Sequence, residues 1–245
     1  MFLTGLLCAL TLLCAAGLLL GDFGEDRWLR LCMKVLCSML FFSLALSAFA
    51  VAPEGPMGYH LLFLVAFGLS VVGDGLLDVP KPGFFLPGLA AFGLAQCAFA
   101  GAFLWRYGPS VGLLGAWAVY LAVAVTLVRS PGLRLQPLAL PMRAKPHRPR
   151  SLPGGPPALR QPASLLPYLG YTAVLSAMAA AALSGLWRHG TPGAALGAVG
   201  GLLFFLSDGA LCLHLFRHPT PRWAETVCLA LYYPAQCLLA LSLCV

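Results

Sequence analysis

The chain has 245 residues, of which 60% are hydrophobic and only 9% are charged, and its mean hydropathy is +0.87. Because soluble domains carry about 25% charged residues, this composition excludes an ordinary soluble protein and indicates an integral membrane protein. A membrane span needs about 20 apolar residues, so the length is enough for roughly eight spans with short connections. We therefore expect residues 1–245 to form a single integral membrane domain.

The apolar segments predict eight spans, separated by connections rich in Pro, Gly and charge. The first segment follows Met1 without a basic region or a clear cleavage site, so we expect an uncleaved span rather than a signal peptide. The fold class that follows is an all-α membrane protein built as an eight-transmembrane-helix bundle. The predicted spans cover residues 2–20, 29–51, 58–77, 84–105, 110–128, 164–186, 193–216 and 223–245.

One long connection, at 128–163, is basic and rich in Pro, and holds seven Lys and Arg residues. Basic connections stay on the cytoplasmic side of a membrane. With this loop placed there, every basic residue except Arg106 and Arg188 falls on the same side, and both termini face the lumen or exterior. Juxtamembrane charge of this kind meets anionic lipid headgroups, so we expect membrane lipids as partners and no nucleic acid.

No metal or cofactor site is predicted. The nine cysteines form no C-x-x-C pair, which is typical of small packing residues rather than of a zinc site or a disulfide framework. His214 and His218 are four residues apart, but the helical rotation from Asp208 to His214 places the aspartate on a different face. Hydrolase and nucleotide motifs such as G-x-S-x-G, H-E-x-x-H and a P-loop are absent from the sequence.

Two carboxylates, Asp74 and Asp208, lie inside apolar spans. An ionisable residue in lipid costs several kcal/mol unless it is paired or hydrated, which favours a functional role, although a helix cap or a pair with Lys34 would also explain each one. Each begins a D-G-x-L sequence, and each is followed by a span with a glutamine, Gln96 or Gln236. Both aspartates would lie on spans that run toward the cytoplasm, as a parallel four-plus-four internal repeat predicts.

Further polar residues are expected near these carboxylates in a cavity that opens toward the cytoplasmic leaflet. Lys34 lies near the start of the second span and is either a counter-ion or phosphate contact, or a lysine that extends to the interface. Tyr232 and Gln236 share a helix face, with Tyr233 beside them. They fit either a polar cavity wall or ordinary packing.

At these positions the sequence resembles the lysoplasmalogenase family, the YhhN-like or transmembrane protein 86 family. The resemblance covers roughly residues 25–245 apart from the long loop, and four motifs occur in the family's order. They are Gly73-Asp74-Gly75-Leu76-Leu77, Pro87-Gly88-Leu89-Ala90-Ala91-Phe92, Ser207-Asp208-Gly209-Ala210-Leu211 and Tyr232-Tyr233-Pro234-Ala235-Gln236.

The resemblance implies a multi-pass protein of the endoplasmic reticulum membrane that hydrolyses the vinyl-ether bond of a lysophospholipid, the lysoplasmalogen. The products would be a fatty aldehyde and glycerophosphocholine or glycerophosphoethanolamine. Asp74 and Asp208 match the family's catalytic aspartates, and a homodimer is left open. Two positions depart from the family: Gln96 stands where a histidine is usual, and Lys34 is followed by Val35 rather than closely by Pro.

The chemistry of a vinyl ether needs a neutral acid to protonate carbon and a carboxylate to stabilise positive charge and direct water, as in glycoside cleavage. We expect Asp74 and Asp208 to divide these roles, with Lys34, Gln96, Tyr232, Tyr233 and Gln236 holding substrate or water. Two alternatives stay open at this point. One is a lipid or proton transporter that uses the aspartates as a relay, and the other is a catalytically weak membrane scaffold, because glutamine cannot transfer protons as histidine does.

Overall fold

A computed structural model describes residues 1–21, 27–52, 56–79, 82–129, 166–216 and 222–245. The basic connection predicted at 128–163 lies almost entirely outside these residues, and so does His218. The described residues form eight α-helices, with one 3-10 turn at Pro82–Phe84. The helices are α1 Phe2–Leu20, α2 Arg27–Ala50, α3 Met57–Asp78, α4 Phe85–Tyr107, α5 Gly112–Val128, α6 Leu166–His189, α7 Pro192–Phe216 and α8 Arg222–Leu241.

The eight helices confirm the predicted all-α membrane bundle. Within the described part of the chain, seven of them are long and apolar enough to cross a membrane. The exception is α5, which the sequence predicts as a span over 110–128. Its 17 residues rise only about 25 Å, less than the roughly 30 Å of a bilayer's hydrocarbon core.

The helices pack in an order that repeats between the two halves of the chain. In the first half α1 packs on α2, α2 on α3 and α3 on α4, and the second half has the same neighbours from α5 to α8. The halves are joined where α4 packs on α6 and α8 packs on α2. This arrangement has the order that a four-plus-four duplication would give, and the duplication itself stays a prediction.

Glycines allow the backbones of the closest helix pairs to approach each other, as small residues do in membrane bundles. A Cβ atom at Gly73 of α3 would lie 2.6 Å from the Phe92 ring of α4. Between α7 and α8, a Cβ at Gly200 would lie 3.1 Å from the Leu239 backbone nitrogen. These contacts fix how near α3 comes to α4 and α7 to α8, the two pairs that carry the candidate site.

Aromatic rings fill the bundle between α3 and α4, on the side of Asp74 toward the C-terminal end of α4. The Phe63 ring meets Phe67, Phe99 and Phe103 at centroid distances of 6.3, 5.2 and 5.3 Å. All four side chains are fully buried. This packing fills the bundle beside the middle of α3, and the cavity next to Asp74 lies toward the C-terminal end of α3, where Leu77 and Asp78 line it.

Replacing Gly73 by alanine is expected to lower the thermal stability of the protein. The new methyl group would overlap Phe92, whose ring is held between Phe204 and Tyr232, and overpacking of this kind costs about 1–3 kcal/mol. Gly75→Ala is the matched control, because a Cβ there meets open space. Thermal unfolding in detergent, followed by tryptophan fluorescence, measures both variants, and equal transition temperatures would contradict the packing argument.

Candidate active site

Asp74 of α3 is a buried carboxylate with two hydrogen-bond donors. The Ser38 hydroxyl of α2 lies 2.6 Å from its Oδ2 and the Tyr232 hydroxyl of α8 lies 2.8 Å from the same oxygen. The Lys34 Nζ is 4.0 Å from the other oxygen, Oδ1. Since only 3% of the side chain is exposed, these three groups replace water as the partners of the carboxylate and favour its ionised form.

Lys34 is largely buried and pairs with two aspartates of α3. Its Nζ donates to Asp78 Oδ1 at 3.1 Å, closer than its approach to Asp74. The lysine lies one helical turn before Ser38, so α2 presents a cation and a hydroxyl to the same face of α3. Of the two roles that the sequence leaves open, the structure shows the counter-ion contact.

Asp208 of α7 has different surroundings. The Tyr171 hydroxyl of α6 donates a short hydrogen bond to its Oδ2, and no cation lies within ion-pair distance among the described residues. Apolar side chains such as Leu211 and Leu215 line the space beside it. A carboxyl group with one donor and apolar neighbours is more easily kept neutral than Asp74, because desolvation disfavours the charge.

Two cavities meet at Asp208. The smaller one, of about 100 Å³, has Lys34, Asp74, Asp208 and Tyr232 in its wall beside apolar side chains, and it is called the polar cavity below. An apolar cavity of about 390 Å³ lies on the other side, among α4, α5, α6, α7 and α8, and its wall contains Asp208 and Tyr171. Asp208 is thus the carboxylate shared by a small polar chamber and a larger apolar one.

Four of the predicted site residues therefore meet in one cavity, and three do not line it. Gln96, Tyr233 and Gln236 are fully buried behind the cavity walls. Within the described residues, neither amide has a hydrogen-bond partner for its nitrogen or oxygen, and the same holds for the Tyr233 hydroxyl. The Gln96 amide lies beside the Tyr171 side chain, behind Asp208.

Sequence reasoning missed Ser38 and Tyr171, the two hydroxyls that touch the carboxylates from α2 and α6. Ser38 precedes Asp74 by 36 residues and Tyr171 precedes Asp208 by 37 residues. These near-equal separations match the pairing of the two aspartates in the D-G-x-L repeat. They are the feature of the sequence that could have pointed to the two hydroxyls. Serine and tyrosine are common in helices, so the spacing acquires meaning only once the aspartates are paired as equivalents.

The fold and the site define a class: a helical membrane protein with two buried carboxylates where a polar and an apolar cavity meet. Residues 29–243 match the YhhN family, and the chain belongs to that family. It is 32% identical over 211 residues to the lysoplasmalogenase TMEM86B of Homo sapiens, a match that covers 86% of this chain and 72% of the relative.

Two other relatives carry the same name. The lysoplasmalogenase TMEM86B of Rattus norvegicus is 29% identical over 211 residues, covering 86% of this chain and 70% of the relative. That of Sus scrofa is 32% identical over 199 residues, covering 81% and 70%. No solved structure matches the chain.

Replacing Lys34 by methionine is expected to destabilise the protein by about 1–3 kcal/mol, because it removes the donor of a partly buried carboxylate at Asp78. Adding Asp78→Asn to this variant should recover part of the loss, since the amide does not need a cation. The measurement is a double-mutant cycle of thermal unfolding. Losses that simply add up in the double variant would show that the two side chains do not depend on each other.

Proposed function

We propose that this protein is a lysoplasmalogenase-type hydrolase that cleaves the vinyl-ether bond of a lysoplasmalogen in a membrane. The observation that carries the proposal is the place of Asp208, between a polar and an apolar cavity. A lysoplasmalogen has the same order of parts: a hydrocarbon chain, a vinyl ether and a polar headgroup. The names of the three relatives support the same activity.

The apolar cavity suits the hydrocarbon chain. Its volume of about 390 Å³ falls within the ~300–1,000 Å³ of ligand pockets, and leucine and phenylalanine side chains dominate its wall. A chain held there brings the vinyl ether to Asp208 and leaves glycerol and headgroup in the polar cavity. The substrate thus uses both chambers, and its reacting atoms lie at the carboxylate that the chambers share.

Asp208 acts as the general acid and Asp74 as the charged carboxylate. Asp208 has one hydrogen-bond donor and apolar neighbours, which favours a proton on the free oxygen while Tyr171 donates to the other. Asp74 has two donors and a nearby ammonium, which favours the ionised form. Two carboxyl groups in different surroundings can thus supply an acid and a base at one pH.

The reaction follows in three steps. Asp208 gives its proton to the β-carbon of the vinyl ether, which leaves positive charge on the carbon bonded to oxygen. Asp74 stabilises that charge and takes a proton from the water that attacks this carbon, which forms a hemiacetal. The hemiacetal hydroxyl then gives its proton to the ionised Asp208, and the carbon–oxygen bond to the glycerol breaks while Asp74 gives its proton to the leaving oxygen, so that an aldehyde and a glycerophospho-alcohol are released. One water is consumed, Asp208 ends protonated and Asp74 ends ionised, as both began.

Gln96 stands where the family usually has histidine, and this assignment does not require that position to move a proton. The Gln96 amide is buried and interacts with the Tyr171 side chain, although neither of its polar atoms reaches hydrogen-bond geometry with a described residue. Such an amide can hold a water and position the tyrosine that touches Asp208. Gln236 interacts in the same way with Tyr232, and the Tyr233 ring packs on Tyr232 at a centroid distance of 5.1 Å. We therefore assign Gln96 and Gln236 to positioning and Tyr233 to packing. The location in the endoplasmic reticulum stays part of the proposal.

Asp208→Asn is expected to reduce aldehyde release from a synthetic lysoplasmalogen by about 10²–10⁴-fold, because an amide cannot donate the proton that activates the vinyl ether. Asp74→Asn should cause a loss of about 10²–10³-fold through weaker charge stabilisation. The measurement is aldehyde release by purified protein in detergent, with thermal unfolding as the check on folding. A folded variant of either kind with full activity would refute the assignment, and an inactive folded wild type would favour transport or scaffolding.

Tyr171→Phe is expected to lower kcat by about 10–100-fold with a smaller change in KM, because the lost hydroxyl orients Asp208 and does not bind the chain. Tyr120→Phe is the control, since that ring packs on Phe205 and lines neither cavity. Steady-state kinetics on the same substrate separates the two parameters. Equal effects of the two substitutions would remove Tyr171 from the site.

A further inference from the structure

The polar cavity contains a cluster of three ionisable side chains that the proposed reaction does not use. Arg30 of α2 forms an ion pair with Glu225 of α8, and the His214 Nε2 of α7 lies 3.8 Å from the second Glu225 oxygen. All three residues line the cavity that contains both catalytic candidates, Asp74 and Asp208. They come from three helices, so the bundle itself brings them together.

This group lies at the outer end of the cavity. The exposed fraction of the side chains rises from 3% at Asp74 to 12% at Lys34, 21% at Asp78, 31% at Glu225 and 36% at Arg30. The charges thus form a path from the buried carboxylate to the surface. A ligand whose reacting bond lies at Asp208 would place its more distant polar part beside Arg30 and Glu225.

Stability does not explain the outer pair well. An ion pair with about a third of each side chain exposed contributes about 0–1 kcal/mol, so its two partners separate easily. Lys34 is different, because it is 12% exposed and already occupied by Asp78 and Asp74. Arg30 is therefore the cation of this cavity that can exchange its partner for a ligand with little loss.

The ligand that fits an exchangeable arginine–carboxylate pair is a zwitterion. Arginine binds phosphate through two parallel hydrogen bonds, and a carboxylate accepts hydrogen bonds from a primary ammonium. A phosphoethanolamine headgroup carries both charges, so its binding replaces one ion pair by two and leaves the net charge of the cavity unchanged. Quaternary ammonium instead prefers a cage of aromatic faces.

We propose that Arg30 and Glu225, supported by His214, form the headgroup site of this protein, where Arg30 binds the phosphodiester and Glu225 binds the primary ammonium of a lysophosphoethanolamine. The proposal rests on the proposed function and adds the part of the substrate that the site recognises. It also places the glycerol unit between Arg30 and Asp208. Headgroup binding therefore determines how far the lipid enters the site and holds its vinyl ether beside Asp208.

The test is equilibrium binding of three lipids with a saturated 1-O-alkyl chain, which cannot be hydrolysed, to the full chain in detergent. The probes are alkyl-glycerophosphoethanolamine, alkyl-glycerophosphate and alkylglycerol. Arg30→Gln should weaken both phosphate-bearing lipids at least tenfold relative to alkylglycerol. Glu225→Gln should weaken the ethanolamine lipid relative to alkyl-glycerophosphate. Arg188→Gln, an arginine at the other end of the bundle, is the control and should leave all three affinities in their wild-type ratios.

Two results would overturn the headgroup site. One is an Arg30→Gln variant whose three affinities keep their wild-type ratios, which is what a merely structural role predicts. The other is chainless glycerophosphoethanolamine that binds as tightly as the lipid, which would make the ligand a soluble phosphate. Aldehyde release from 1-alkenyl lipids with the same headgroups is measured in parallel. Headgroup-selective binding without aldehyde release would refute the hydrolase activity but support the headgroup site. Aldehyde release without headgroup-selective binding would refute the headgroup site alone.

Discussion

Placing a carboxylate among apolar helices is the constraint on which the rest of this structure depends. Lipid offers no hydrogen bonds, so each aspartate needs donors from neighbouring helices. Ser38 and Tyr232 supply them for Asp74, and this ties α2 and α8 to α3. Tyr171 supplies one for Asp208 and ties α6 to α7. The polar contacts of the site are therefore also the contacts that set the order of these helices around the cavity.

Close packing elsewhere determines where open space can occur. The glycine contacts bring α3 against α4 and α7 against α8, and the phenylalanine cluster fills the volume beside the middle of α3. Both cavities therefore lie near the C-terminal ends of α3 and α7. The aspartates occupy those same ends. The polar cavity extends to the partly exposed side chains of Arg30 and Glu225, the apolar cavity adjoins Asp208, and the rest of the bundle holds the two carboxylates in place.

Much of this arrangement could be predicted from the sequence, because the bilayer makes simple demands. Long apolar segments specify helices, and a carboxylate inside such a segment is energetically costly. This cost is the basis on which the sequence predicts Asp74 and Asp208 as site residues, together with Lys34 and Tyr232. Ser38 and Tyr171 were missed, since hydroxyl side chains are common and their similar spacing from the two aspartates is a weak signal until the helix packing shows that they reach a carboxylate. The burial of Gln96, Tyr233 and Gln236 behind the walls also depends on helix rotation, which hydropathy does not determine.

The two halves of the bundle place their aspartates at equivalent positions but surround them with different groups. Each aspartate lies on the third helix of its half and meets a hydroxyl from the second, Ser38 in one and Tyr171 in the other. The first half adds Lys34 and a second hydroxyl, Tyr232 of α8, whereas the second half adds an apolar cavity. Equal positions with unequal surroundings are what acid–base chemistry by two identical side chains requires, because the surroundings alone must separate their protonation states. The difference between the halves, more than their similarity, is therefore the feature that the proposed reaction depends on.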